Sequence, residues 1–269
     1  MQFTVKRDAL LKSLNFVQGV VEKKNTLPIL SNVLLQLKEN KLSIVATDLD
    51  IIFYDEITEV KILKEGSTTT SAAILYDILR KISSNSELNF DLKSENKLSL
   101  KSDNSDFNLL CLPTDNFPTF ADEFEGNEIL LNNSRFLKLL NKTRISISND
   151  DTRHYLNGIF LHLTEAHGRH FLTGVATDSH RLSSSSLEVN NNDINSFILP
   201  RKTVFQLCSL LTESSNQLTV QSSENKVKFT LGNMKLISKV IDGKFPDYKK
   251  VVPTNNEKIL TVSSKDFIN

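Results

Sequence analysis

A chain of 269 residues, 39% hydrophobic and 24% charged, is long enough for about two domains of common size and has the composition of a folded, soluble protein. Eight Gly and six Pro exclude a collagenous or linker-rich chain, no apolar run approaches the roughly 20 residues of a membrane span, and Met1 to Leu10 lack a signal-peptide core. A cytoplasmic protein without a membrane partner is expected. The 32 basic and 32 acidic residues cancel, which at first sight argues against a nucleic-acid partner.

The first periodic segment, residues 6 to 24, keeps Leu10, Leu14, Val17 and Val21 on one helical face. Two strands follow, with Leu37 and Leu42 flanking a Lys38-Glu39-Asn40-Lys41 hairpin turn. Leu75, Ile78, Leu79 and Ile82 mark a second helix over residues 72 to 82, and the turn from Ser94 to Lys97 separates strands at Leu88 to Leu92 and Leu98 to Leu100. A third helix spans 134 to 144, the segment from Phe171 to Thr177 reads as a strand, and a fourth helix over 201 to 211 carries Val204, Leu207, Cys208 and Leu211. Strands joined by tight turns pair antiparallel, so the fold class is α+β, with two helices per unit on one side of antiparallel sheets.

The chain resembles itself. The apolar pattern of Leu30 to Leu37 returns 126 positions later in Leu156 to Leu163, and Val45-Ala46-Thr47-Asp48 returns after 130 as Val175-Ala176-Thr177-Asp178. The difference implies four extra residues in the turn around Glu165 to Arg169. Ser94 to Lys97 recurs as Ser223 to Lys226, and Phe117-Pro118 as Phe245-Pro246. A third copy begins at Val262 to Ile268, aligned with Val5 to Leu11 and Leu131 to Leu137. A period this long suits whole duplicated domains, here 1–127, 128–255 and the start of a third at 256–269.

The charges are sorted as well. Thirteen Lys or Arg fall in the four expected helices against Asp8, Glu22 and Asp77, so these segments carry +10 and the rest of the chain −10. Arg135, Lys138 and Lys142 lie within about 60° of one another on a helical wheel. A basic stripe without interleaved aromatic residues suits phosphate attraction without base readout.

Catalytic patterns are missing. There is no GxxxxGK[ST], HExxH, GxSxG or GxGxxG sequence, so neither a nucleotide nor another cofactor is expected. His162, His167 and His170 straddle a turn at Gly168 with no Cys or carboxylate pair to complete a metal shell, and the distant Cys111 and Cys208 suit buried thiols. Asp178-Ser179-His180-Arg181 holds the ingredients of a hydrolase triad, but such triads are assembled from distant positions. The segment suits a ligand-binding rim beside apolar Leu182 instead.

The run Thr177 to Leu182, with Arg153 to Gly158, Thr26 to Leu30 and Asp242 to Tyr248, closely resembles the bacterial β sliding clamps over the whole chain in order. The resemblance implies repeated DNA-clamp domains, a homodimeric ring around duplex DNA with helices lining the hole, and a non-catalytic processivity role in DNA replication. It also implies a peptide pocket for polymerase, clamp-loader and repair proteins, corresponding here to Leu156, Thr177, Ser179, His180, Arg181, Leu182, Pro246, Lys250 and Val251. Ser179 stands where the family usually has Gly, at a cost in strain if φ is positive there. Family bases facing the DNA correspond to Arg7, Lys12, Arg80, Arg201 and Lys202, to which the stripe of Arg135, Lys138 and Lys142 is added. Lys24, His154 and Tyr155 fall in loops resembling those that touch DNA, and Phe107 and Leu109 on the edge strand where rings of the family close. A third domain begun but not completed implies that the 269 residues alone do not close a ring. The alternative is a stand-alone peptide-binding module that never encircles DNA.

Overall fold

The computed structural model describes residues 1–22, 26–102, 105–118, 124–190, 194–212 and 217–268. The first repeat comprises β1 (Gln2–Lys6), α1 (Arg7–Val20), β2 (Asn32–Lys38), β3 (Lys41–Thr47), β4 (Ile51–Ile57), β5 (Val60–Lys64), β6 (Gly66–Ser71), α2 (Ala72–Lys81), β7 (Glu87–Ser94), β8 (Lys97–Ser102) and β9 (Ser105–Leu112). The second comprises β10 (Asn127–Leu131), α3 (Asn133–Thr143), β11 (Gly158–Ala166), β12 (Arg169–Thr177), β13 (Leu182–Val189), β14 (Phe197–Pro200), α4 (Arg201–Thr212), β15 (Leu218–Ser222), β16 (Lys226–Leu231) and β17 (Met234–Lys239). Beyond Val251 every described residue is exposed, including a last short helix, α5 (Ser264–Ile268).

Local sequence accounts for the elements. The β2–β3 turn places Glu39 and Asn40 at φ 51° and 59°, and the matching β11–β12 turn places His167 and Gly168 at 52° and 70°, so the four extra residues expected in the second turn lengthen strands β11 and β12 instead. Two successive positive φ angles give the turn whose twist matches a hairpin. Helix α3 starts where the Asn132 side chain accepts a hydrogen bond from the Arg135 backbone N–H at 3.1 Å, and Ser71 caps α2 from Ile74 in the same way. Helix α1 stops at Val20 rather than at residue 24, because Val21 turns to extended backbone at φ −66°, ψ 146°. Lys24 lies outside the described residues.

The apolar faces read from sequence are buried, Leu10, Leu14 and Val17 of α1, Leu75 and Leu79 of α2, and Val204 and Leu207 of α4, as are Leu139 and Leu140 of α3. Each fully buried aliphatic side chain contributes roughly 1.5–3 kcal/mol by leaving water. Stacked rings fill the center of each repeat, Phe3 on Phe90 at 4.7 Å and Phe136 on Phe229 at 6.3 Å. Cys111 and Cys208 are buried free thiols.

The pairing of the two repeats is not visible in local periodicity. All ladders are antiparallel, and β17 adds to β4 with Leu236 opposite Phe53 and Ile237 opposite Ile52. The result is one sheet of 13 strands running through both repeats, and a separate four-stranded sheet β13-β12-β11-β14. Joining β4 to β17 removes two exposed edges at once. Strand β13, the second-repeat counterpart of β4, has no such partner among the described residues and ends its sheet. Across the same junction α1 meets α4, where a Cβ on Gly19 would sit 2.0 Å from Gln206 Nε2. With α1 on α2 and α3 on α4, the helices form one row, α2-α1-α4-α3, along one side of the sheets.

Candidate functional site

The Thr-Asp turns after β3 and β12 are the same device built twice. Thr47 Oγ1 donates to the Ile51 carbonyl at 2.8 Å while Asp48 Oδ1 accepts from the Asp50 and Ile51 amides. In the second repeat Thr177 Oγ1 donates to the Arg181 carbonyl at 2.8 Å, and Asp178 Oδ1 accepts from the His180 and Arg181 amides at 3.0 Å. Those two amides, with the Arg181 guanidinium, hold the Asp178 carboxyl at a pKa of about 2. Leu49 and Ser179 occupy matching positions with φ of 79° and 78°. The strain expected for Ser179 is therefore present, and its hydroxyl is bonded to Arg153 Nη1 at 2.5 Å.

This turn presents His180 and Arg181 to solvent beside a small apolar cluster of Leu156, Val175, Ile198 and Phe245, against which Leu182, Phe160, Ile241, Tyr155 and Tyr248 pack. Phe160 stacks on Phe245 at 5.0 Å and on His162 at 4.7 Å, and His162 Nε2 lies 3.1 Å from the Tyr248 hydroxyl. Burial lowers the His162 pKa, so its imidazole behaves as part of the aromatic wall. Pro246, Lys250 and Val251 are exposed, with Lys250 paired with Asp247 at 3.2 Å. Leu156, which the resemblance assigns to the peptide pocket, is 2% exposed and belongs to the buried part of this cluster. Phe160, His162 and Tyr248 are not among the residues expected at this surface, and their stack depends on Phe245 and Tyr248 reaching β11 from far along the chain.

The four helices carry nine Lys or Arg and only Asp8 and Asp77 as acids. Lys12, Arg80, Arg135, Lys138, Lys142 and Arg201 are exposed on the helix row. Arg80 lies over the Tyr76 ring, and Arg201 over Phe205 at 5.6 Å. Two of the expected phosphate ligands also bond within the chain. Arg7 Nε donates to the Leu79 carbonyl at 2.7 Å and Nη1 to Asp8, tying α1 to α2 with 14% of the side chain exposed. Lys202 Nζ donates to Asp48 Oδ2 at 2.5 Å and the Val20 carbonyl at 2.9 Å, so it clasps the two repeats together. In the 3-10 segment Asp151–Leu156, His154 is exposed with Nε2 3.2 Å from the Asp242 carbonyl, and Tyr155 is half-buried against Gly243.

Strand β9 pairs with β8 along its length but with β6 only at Cys111 and Leu112, with Thr70 Oγ1 also donating to the Leu110 carbonyl at 3.1 Å, so the backbone from 105 to 109 has an open side among the described strands. The expected interface side chains turn inward: Leu109 is 4% exposed and Phe107 packs on the core. Alternation along the strand puts Leu110, 83% exposed, on the outer face instead.

Residues 1–121 match the family model for the DNA polymerase III beta subunit, N-terminal domain, and residues 130–247 that for its central domain. The chain is 38% identical to a beta sliding clamp of Caulobacter vibrioides, over 99% of this chain and 72% of the relative. It is 37% identical to one of Escherichia coli, over 97% and 70%. A crystal structure of the DNA polymerase sliding clamp from Caulobacter crescentus superposes with a TM-score of 0.92 at 38% identity, over 99% of this chain and 72% of that one. The DNA polymerase III subunit beta from Bartonella birtlesii bound to griselimycin superposes at 0.91, also at 38% identity, over 96% and 69%. The repeat, the row of basic helices and these matches along the whole chain agree: the chain belongs to the bacterial β sliding clamp family.

Proposed function

We propose that the protein serves as a DNA sliding clamp, encircling duplex DNA as part of a homodimeric ring and tethering a replicative polymerase and other enzymes through a peptide pocket. It would carry out no reaction of its own and act in the cytoplasm as a processivity factor. The observation that carries this reading is the row α2-α1-α4-α3, whose exposed side gathers cations in a chain of zero net charge. Such a surface attracts phosphates at any sequence and lets the duplex slide. The division at 1–127, 128–255 and 256–269 follows the same reading, with one clamp domain per repeat. The Leu182, Pro246 and Val251 surface over the Phe160-Phe245 stack would take the partner peptide, and the open side of β9 with Leu110 would meet the second subunit. Binding of two duplexes of equal length and unrelated sequence tests the DNA reading. Equal affinities that fall in parallel with salt are expected; a preference for one sequence of tenfold or more would overturn it.

A further inference from the structure

A cleft of about 600 Å³ lies on the outer face of the sheet where β2, β3 and β4 meet β17. Side-chain alternation explains its lining. Leu35, Leu37, Leu42 and Ile44 face the helices, so Leu34, Val45, Ile52 and Tyr54 face outward. By the repeat, Leu34, Val45, Ile52 and Phe117-Pro118 are the counterparts of Phe160, Val175, Leu182 and Phe245-Pro246. In the second repeat Phe160 and His162 stack into the space; Leu34 and Gln36 leave it open in the first. The remaining wall, Lys235 and Ile237, comes from the other repeat through the β4–β17 ladder.

We propose that this cleft is a second peptide site, taking a short extended segment with an aliphatic side chain next to a carboxylate. It rests on reading the second-repeat surface as a peptide pocket. The charges around it favor an acidic occupant. The lining sets Lys38, Lys41 and Lys235 against Glu39 and Glu56, one cation in excess: Lys41 is paired with Glu56 at 2.9 Å and Lys38 with Glu39 at 3.4 Å, whereas Lys235 lies over the Tyr54 ring at 4.9 Å, attracted by Glu56 but with no carboxylate within 4 Å among the described residues. An aliphatic side chain would enter between Val45, Ile52 and Ile237, and the carboxylate beside it would meet Lys235.

The test uses the 269-residue chain with labeled isoleucine methyl groups, titrated with the peptide Ac-Asp-Ile-Leu-NH2 and followed by NMR. Ile52 and Ile237 report on the cleft, Ile198 and Ile241 on the second-repeat pocket. Saturable shifts at Ile52 and Ile237, weakened at least fivefold by Lys235→Glu or by Asn in place of the peptide's Asp, are expected. Shifts confined to Ile198 and Ile241 would overturn the cleft and keep the first pocket; shifts confined to Ile52 and Ile237 would support the cleft and remove the first pocket. No shifts, or shifts at the cleft indifferent to both charge changes, would overturn the proposal.

Discussion

Lys202 separates a structural role from a DNA-binding one. Its ammonium is held by Asp48, whose side chain is 8% exposed, and by the Val20 carbonyl, with Glu22 at 3.6 Å. Lys202→Met would remove a charge-assisted bond and leave the buried Asp48 carboxylate short of a partner. Such a loss costs roughly 1.5–3 kcal/mol, and because 37% of the lysine side chain is exposed, solvent replaces part of it. A loss of about 2 kcal/mol is therefore expected, about 30-fold in the folded-to-unfolded ratio. With a urea dependence of about 2 kcal/mol per molar, the unfolding midpoint read by circular dichroism should fall by about 1 M. Pairing the substitution with Asp48→Asn in a double-mutant cycle should recover about 1 kcal/mol or more of coupling. The slope of DNA affinity against salt should stay unchanged. An unaltered midpoint together with a salt slope flattened by about 0.9 would make Lys202 a phosphate ligand and refute the clasp.

Ser179→Gly should be about 1 kcal/mol more stable than Ser179→Ala, since both lose the bond to Arg153 but only Gly relieves the positive φ; equal thermal stability of the two would mean that the turn is relaxed in solution. Leu156→Ala should weaken a polymerase tail peptide by about 1 kcal/mol or more in fluorescence polarization, and Lys250→Ala by less. Because Leu156 is buried, the same change should cost about 2–5 kcal/mol of stability, so affinity is to be measured well below its melting transition. Asp55, buried with Ser13 Oγ donating to it at 2.5 Å, has its pKa raised chiefly by desolvation. The folded state then holds the proton to higher pH than the unfolded state, so this group's contribution falls as pH rises from the ordinary carboxylate pKa through the raised one. Relative to Asp55→Asn, the wild-type protein should lose stability over that interval in denaturant titrations, and a gain would reverse the assignment.

Much of this architecture is legible in the sequence because it is made locally and made twice. The Thr47-Asp48 and Thr177-Asp178 turns are closed by their own side chains, and the helix faces follow a 3.6-residue period that no distant contact alters. Junction features are not legible. The β4–β17 ladder joins residues about 180 positions apart, and nothing in either strand's alternation distinguishes an edge to be paired from one left open. Charge has the same limit. Arg7 and Lys202 look like Lys12 and Arg135 on a helical wheel, but a carbonyl or carboxylate brought in from the neighboring element takes up the first two. Leu109 and Leu110 differ only in parity along β9, and one is core while the other is surface. At the proposed peptide surface, sequence supplies the polar turn, whereas the aromatic stack is set by the approach of Phe245 and Tyr248 to β11.

The helix-lined DNA surface is tested most directly by reversing two exposed charges of α3. Affinity for a duplex is measured across a salt series for the wild-type protein and for Arg135→Glu with Lys138→Glu. A sequence-independent affinity that drops sharply, with its salt slope reduced by about 1.8, is expected from the loss of two phosphate contacts. Unchanged affinity and slope in the folded double variant would contradict the account.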